Sequence, residues 1–353
     1  MSLTSLKQLY DRLPDPLAAV ASDIAYRVSP GPLVYRDPAQ HMGISLARGA
    51  VVFSIDFEMA WAWQYARSSD ESPSAKGLRE RAQVPVILRE FESTGIPATW
   101  ATVGHLFLSS CSRDGKGLAH AGMPRIPHFE TRNWVFGSGD WYQHDPCTDV
   151  RRDPAWYAPD LVEAILSSRA GHEVGCHTFS HIGCGEAYCS PEVAASEVDA
   201  CLDAMGKFGV SPVSWVFPGN DDGNCQVLAR KGIKFIRTFP VPEAVISLPV
   251  RRADGMWGLH SSKSVEARTG SWNLAVRLRR LKSYLQAAIR EKMALHVWFH
   301  PSLLEVHMQS ILFPFLHHCA GLREKGLIDI MTMQGLVENT RRAMDAAGIA
   351  PPF

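Results

Sequence analysis

The sequence carries no surplus of charge of either sign. Lys+Arg and Asp+Glu are both 36 across 353 residues, giving a formal net charge of +0 at pH 7. That balance excludes the broad electrostatic footprint of a nucleic-acid-binding or acidic-membrane-binding protein. The local basic run Arg277, Arg279, Arg280 and Lys282 has the composition of a solvated helix face. No apolar run approaches the roughly 18 residues of a membrane span. Nor do the 8 cysteines contain a CxxC pair, and the chain is far too long to be a disulfide scaffold. The group Cys176, Cys184 and Cys189 fits no common zinc-thiolate spacing, so free thiols in a reducing compartment are expected. The first 28 residues lack the basic, apolar and small-residue order of a secretory leader. These absences together predict a soluble cytoplasmic protein with no nucleic-acid partner.

What is present is a repeating alternation of short apolar runs and helical patterns from about residue 50 onward. Ala50–Ile55, Ala98–Val103, His172–Cys176, Val213–Phe217, Ile233–Ile236, Ala294–Phe299 and Ile328–Met331 read as buried parallel strands. Helical patterns fall between them near 78–93, 159–169, 191–208, 224–231, 273–292, 305–323 and 333–346. Two stretches, 111–157 and 239–271, read as long irregular loops, and loops of that length inside a domain are usually functional. The alternation predicts an α/β fold with a parallel sheet. Ahead of it, Leu9, Leu13, Leu17, Val20, Ile24 and Val28 line one face of a helix broken by Pro14 and Pro16. Residues 1–47 are therefore expected as a helical extension packed on a main domain, 48–346. Docking on a membrane surface is the alternative use of that apolar face.

Four polar clusters stand just beyond apolar strands: Asp56-Phe57-Glu58, His177-Thr178-Phe179-Ser180-His181, Phe217-Pro218-Gly219-Asn220 and Trp298-Phe299-His300-Pro301. In a parallel barrel the carboxyl ends of the strands converge on one face, where active sites form. Residues i and i+2 of an extended chain point the same way, so Asp56 and Glu58 are expected to face one cavity. Two imidazoles at i and i+4 with one carboxylate make a set typical of a catalytic metal with a position open for water. His300, flanked by Trp298, Phe299 and Pro301, sits in an apolar setting that is expected to lower its pKa into the range useful for proton transfer.

In this order the motifs SIDFE, HTFSH, FPGN and HVWFHP resemble the polysaccharide deacetylase superfamily (NodB homology, carbohydrate esterase family 4-like) over roughly residues 48–335. They are most similar to a divergent cytoplasmic branch with Asp-x-Glu or Asp-x-Asp in the first motif. The resemblance implies a distorted (β/α) barrel of about seven parallel strands and a divalent metal, usually zinc, with Co2+, Ni2+, Mn2+ or Fe2+ as alternatives. It implies hydrolysis of an N-acetyl or related C–N bond in an acylated amino sugar, sugar nucleotide, lipid-linked sugar or natural-product intermediate. Position by position, Asp56 falls on the catalytic base, Glu58, His177 and His181 on the metal ligands, and His300 on the general acid. Two departures stand out. Phe57 separates the carboxylates, and Val216 stands where the third motif usually carries the arginine that orients the base. Asn220, Asp221, Asp222 and Arg237 are the candidate replacements.

Gly219 is a candidate for letting a backbone N–H approach an oxyanion, with Pro218 and Asn220 beside it. Trp61, Trp63, Tyr65, Trp134, Trp141, Tyr142 and Trp298 are expected either to stack on a sugar ring or to anchor loops. The residues leave other readings open: an allantoinase-like or cyclic-imide ring opener, a non-catalytic barrel that only binds, and a non-haem iron oxygenase, which also uses two His and one carboxylate.

Overall fold

A computed structural model describes residues 10, 12–28, 32–67, 71–239, 245–267 and 269–349. Helix α1 (Asp15–Val28) and strand β1 (Leu33–Tyr35) precede the long strand β2 (Gly49–Phe57). There follow α2 (Pro73–Thr94), β3 (Thr99–Thr102), the two-residue hairpin strands β4 (Phe129–Glu130) and β5 (Val135–Phe136), and α3 (Pro159–Ser167). Next come β6 (Glu173–Cys176), α4 (Pro191–Gly206), β7 (Ser214–Val216), α5 (Cys225–Arg230) and β8 (Phe235–Thr238). Four short strands succeed them: β9 (Val245–Ser247), β10 (Val250–Arg251), β11 (Trp257–His260) and β12 (Lys263–Ser264). The chain ends with α6 (Ser271–Glu291), β13 (Ala294–Phe299), α7 (Phe313–Glu324), β14 (Ile328–Met331) and α8 (Met333–Ala346).

The parallel pairings run β13-β2-β3-β6-β7-β8-β11, and the chain then carries β11 into β12, which pairs with β13 in parallel. At the crossing, Ser261 N donates to Thr238 O on β8, while Ser262 N donates to His296 O on β13. The ring of seven parallel strands is thereby joined. This is the distorted (β/α) barrel that the resemblance implied. The closing strand lies inside 239–271, which reads as irregular in the sequence. Its pieces are two to four residues long and are punctuated by Pro249 and Gly255, too short for a periodic signal. The helix read over 305–323 is likewise modified by a π turn at Met308–Leu312, next to Pro314, which has no N–H to give the preceding turn.

Every residue of β2 is buried, and its alternating faces meet the barrel interior and the helices. β13 takes one of its edges along Ala50–Ile55. The other edge is divided: β14 pairs with Gly49–Val52 and β3 with Ser54–Phe57. Outside the ring, α1 lies on α6, tied by Asp15–Asn273, Asp23–Arg279 and the Ser22 carbonyl–Arg280 contacts. Two of the cations in the basic run thus bind the N-terminal helix. That segment also contributes a strand, β1, paired with β9, and Leu9 lies outside the described residues. Leu17, Val20 and Ile24 are exposed. No helix among the described residues is long and apolar enough to cross a membrane.

Gly49 sits where β2 passes closest to α6: a Cβ there would lie 2.7 Å from Ile289 Cα and 2.9 Å from Ala288 O. Both neighbours are backbone, so relief requires moving the helix. Gly49→Ala is expected to lower unfolding free energy by about 1–3 kcal/mol through overpacking, read from denaturant titration. An unchanged midpoint would mean that α6 slides at no cost.

Candidate active site

The side chains singled out in the sequence meet at the carboxyl ends of the barrel strands. Asp56 and Glu58, from the end of β2, are both about 3% exposed. His177 follows β6 directly, and its Nε2 is 2.8 Å from Glu58 Oε1, while His181 Nε2 lies 3.2 Å from the same oxygen. The Nδ1–H of His177 donates to Val216 O at 2.8 Å, which leaves Nε2 as the free donor atom facing Glu58. This second contact is the usual way a metal-binding imidazole is oriented. One ligand atom from each of Glu58, His177 and His181 lies within 4.8 Å of the others. The donor set, two imidazoles and one carboxylate, all buried, fits a divalent metal.

The loop bearing the two histidines is held in an unusual shape. Thr178 and His181 have φ of 56° and 61°, conformations that non-glycine residues adopt only when the surroundings compensate. Glu197, buried on α4, supplies the compensation. Its carboxylate accepts from Phe179 N (2.7 Å), Ser180 N (2.9 Å), Ser180 Oγ (2.8 Å) and Tyr142 OH (3.0 Å).

The arginine absent from position 216 comes from the neighbouring strand. Arg237 on β8 is the register partner of Val216, and its guanidinium binds Asp56 through two 2.6 Å contacts. Arg237 also donates to Ser54 Oγ at 3.0 Å and lies 5.0 Å from the Trp298 ring centre. His296 Nε2 is 2.8 Å from the Ser54 hydroxyl. Burial and then Arg237 push His296 down to about 3, so its neutral ring can accept the Ser54 proton. Of the candidate replacements, Asn220 touches Arg237 only at 3.4 Å. Asp221 and Asp222 bind neither Asp56 nor Arg237 in the described structure.

His300 lies across from both carboxylates, its Nε2 3.9 Å from Asp56 Oδ2 and 3.7 Å from Glu58 Oε1. Its Nδ1 is 2.6 Å from Glu266 Oε1. The expectation of a lowered pKa is overturned. Burial does act to lower it, but Glu266, Glu58 and Asp56 outweigh burial and raise it well above the ordinary histidine value. The sequence shows the apolar flank of His300 and hides Glu266, which reaches it from beyond β12.

Burial raises Asp56 and Glu58, yet Arg237 brings the first below its usual range and His300, His181 and His177 bring the second well below. A further carboxyl, Glu80 on α2, accepts the Glu58 N–H at 2.9 Å. Burial and then the Glu58 charge push it up to about 8, so it is neutral at pH 7. Glu80, Glu197 and Glu266 escape the motif search, although Glu80 and Glu197 leave a trace. Each is a carboxylate on the buried stripe of its helix, among Gly77, Val84 and Ile87 or among Val193, Val198 and Cys201.

The aromatics divide. Trp61 is fully buried, donates Nε1–H to Trp156 O and packs 4.4 Å from His105; it packs as a loop anchor, with no surface exposed towards the centre. Tyr65, Trp134, Trp141 and Tyr142 are buried as well. Trp63, half-buried, stands 6.4 Å from His300, and Trp298 stands 5.5 Å from it. At Gly219 (φ +58°) the space of a Cβ is filled by the Trp134 indole at 2.4 Å and Asn133 at 2.7 Å. Its missing side chain therefore makes room for the long loop. Pro218 is buried beside it. Two cavities flank the centre: one of about 430 Å³ lined by Arg132, Asn133, Asn220 and Phe239, the other of about 350 Å³ lined by Trp63, Lys76, Glu266 and Leu303.

No protein-family model and no curated protein matches the chain. Solved structures do. A protein from Mycobacterium smegmatis assigned as a polysaccharide deacetylase aligns over 92% of this chain and 96% of its own, with TM-score 0.57 and 15% identity. The chain has the polysaccharide deacetylase fold. A second such protein, from Pseudomonas aeruginosa PAO1, shares that fold over 90% of this chain and 97% of its own (TM-score 0.51, 14% identity). PuuE allantoinase aligns with the same deacetylase fold over 90% of this chain and 99% of its own (TM-score 0.52, 14% identity).

The elevated His300 provides a direct test of the site electrostatics. A raised pKa means that the proton is held at low pH and lost only as pH climbs through the raised value. Glu266→Gln removes the neighbouring charge, so the His300 titration, followed by NMR of labelled imidazole, should move to lower pH. Asp56 and Glu58 remain and keep part of the elevation. An unmoved titration would reduce Glu266 to a packing role.

Proposed function

We propose that the chain is a metal-dependent hydrolase that removes an acetyl or related acyl group from the nitrogen of an amino sugar or small acylated metabolite. The observation that carries this reading is the convergence of Glu58, His177 and His181 on one point, beside an arginine-clamped Asp56 and opposite His300. When bound by Glu58, His177 and His181, a divalent metal (zinc by donor type) supplies Lewis acidity and brings the pKa of a bound water from 15.7 towards about 7. Asp56 serves as the base, its carboxylate fixed in orientation by the two Arg237 contacts. His300, protonated through its carboxylate neighbours, donates to the departing nitrogen from Nε2 while Glu266 holds Nδ1. An amide nitrogen needs that proton, because the free amide anion is a very poor leaving group.

The two cavities beside the centre have the size of small-molecule subsites. Trp63 and Trp298 are the aromatic rings nearest His300; Trp298 is buried, and half-buried Trp63 is the one a sugar ring could reach. An acylated sugar nucleotide, a lipid-linked sugar or a natural-product intermediate fits this reading, which extends from the family resemblance. Ring opening of a cyclic ureide or imide is the second reading, supported by the shared fold with PuuE allantoinase and by the Asp-x-Glu spacing. A panel of N-acetylated sugars against cyclic ureides and imides, scored by released amine or acid, separates the two.

His177→Ala and His181→Ala should each lose both bound metal and turnover; full metal content in either folded variant would remove that residue from the centre. Asp56→Asn should keep the metal and lower kcat by roughly 10²–10⁴-fold, the usual worth of general-base help, whereas Glu58→Gln should weaken metal binding itself. The opposite pattern reverses the two roles. His300→Ala should cripple turnover of an amide while largely sparing an activated acetyl ester, whose phenolate leaves without a proton. Equal losses in kcat/KM on both substrates would make His300 a positioning group.

A further inference from the structure

The long loop between β3 and α3 contains a second convergence of metal-ligating atoms, away from the barrel mouth. His105 Nε2, Cys111 Sγ, His120 Nε2 and a carboxylate oxygen of Asp145 all lie within 4.8 Å of one another. Three of them crowd a single atom, Asp145 Oδ2: His120 Nε2 at 2.9 Å, Cys111 Sγ at 3.3 Å and His105 Nε2 at 3.4 Å. Tetrahedral bonds of the usual zinc lengths, about 2.0–2.3 Å, would separate their donors by roughly 3.3–3.8 Å. The cluster therefore needs little adjustment to hold an ion.

Hydrogen bonding around the cluster points inward. His105 is fully buried, its Nδ1 is 3.3 Å from Trp156 O, and its Nε2 has no hydrogen-bond partner. With the proton on Nδ1, the Nε2 lone pair faces a carboxylate oxygen across a dry gap. Moving the proton to Nε2 instead sets Nδ1 against the Trp156 carbonyl. A cation between the donors resolves this conflict, and a carbonyl-oriented imidazole is the usual partner arrangement for a metal ligand. Asp145 is prepared in the same way. Its Oδ1 accepts from Cys147 N at 2.9 Å and from Tyr157 OH at 3.2 Å, which leaves Oδ2 for the centre. Rings of Trp61, Tyr157, Phe179 and Tyr142 pack around the two imidazoles at 4.4–5.5 Å.

We propose that His105, Cys111, His120 and Asp145 form a structural zinc site that fastens the 111–157 loop to the barrel. All four positions are filled by protein atoms, as in closed structural sites, whereas the Glu58 centre leaves a position open. Binding expels the Cys111 thiol proton to solvent. The site lies directly behind the catalytic histidines, because Gly104 N and His105 N donate to Thr178 O and Phe179 O, both at 2.9 Å. Fixing the loop therefore also supports the strained turn that carries His177 and His181.

The proposal is tested on the full chain with cobalt(II) and zinc(II) as probes. A thiolate-to-cobalt charge-transfer band in the near ultraviolet reports Cys111 alone, since the Glu58 centre has no sulfur ligand. Wild-type protein should bind about two equivalents of zinc, one per centre, and show the band with cobalt. His181→Ala should keep the band and one equivalent, which separates this site from the proposed hydrolase centre. Cys111→Ser should lose the band, and Cys111→His should lose it while retaining more zinc than Cys111→Ser. Limited proteolysis within 111–147 should accelerate when a chelator strips the wild-type protein. A folded wild type that binds cobalt without the band overturns the proposal. So does a Cys111–Cys147 disulfide in place of metal, these two thiols being neighbours, or a band that survives Cys111→Ser.

Discussion

Buried negative charge is the constraint around which this barrel mouth is organised. Asp56, Glu58, Glu80 and Glu197 are buried and Glu266 is half-buried, and isolated carboxylates in such surroundings would be costly. Each is neutralised by a different means. Asp56 has a guanidinium and Glu58 has imidazoles with room for a metal. Glu80 keeps its proton, Glu197 is surrounded by four donors, and Glu266 faces a protonated histidine.

Much of this was legible in the chain. Seven strand-like runs and their helices were visible because β2, β13 and their neighbours are uninterrupted apolar segments, as strands buried on both faces must be. Asp56, Glu58, His177, His181 and His300 were visible because each follows such a run within five residues. The pieces that escaped are those whose meaning depends on a distant partner. The barrel-closing strand β11 is four residues long, in a stretch punctuated by Pro249 and Gly255, so no period marks it. Arg237 was one of four candidate replacements for the missing arginine, and what singles it out, its registry with Val216, is a property of sheet pairing. Glu266 and the spacing His-x5-Cys-x8-His-x24-Asp have no local pattern at all. The aromatics misled in part because a tryptophan near a motif looks the same whether it faces substrate or packs behind the motif, as Trp61 does.

The long loop is better regarded as a small structured layer than as a flap. Trp141 Nε1 donates to Ser180 O, Tyr65 OH reaches Asp140 O and Trp141 O, and Asn133 Nδ2 reaches Gly219 O. These contacts link the loop to three different strand ends at once. Likeness to deacetylases and to an allantoinase at about 15% identity is a likeness of the barrel. The loop is where a shared scaffold acquires its own substrate, as loops on barrels generally do.

The divided edge of β2 has a consequence for how the molecule comes to exist. The strand that delivers Asp56 gains one neighbour from nearby sequence, β3, and two from the far end of the chain, β13 and β14, over roughly 240 residues or more. A ribosome makes the catalytic strand early and its flanking strands last. For most of synthesis one whole edge and half of the other stay unsatisfied, an open template for wrong pairing. Long-range closure of this kind slows folding, so the nascent chain spends its longest exposure with its most apolar strand incompletely covered. The strand that delivers Asp56 is thus also the one whose pairing waits longest on the rest of the chain.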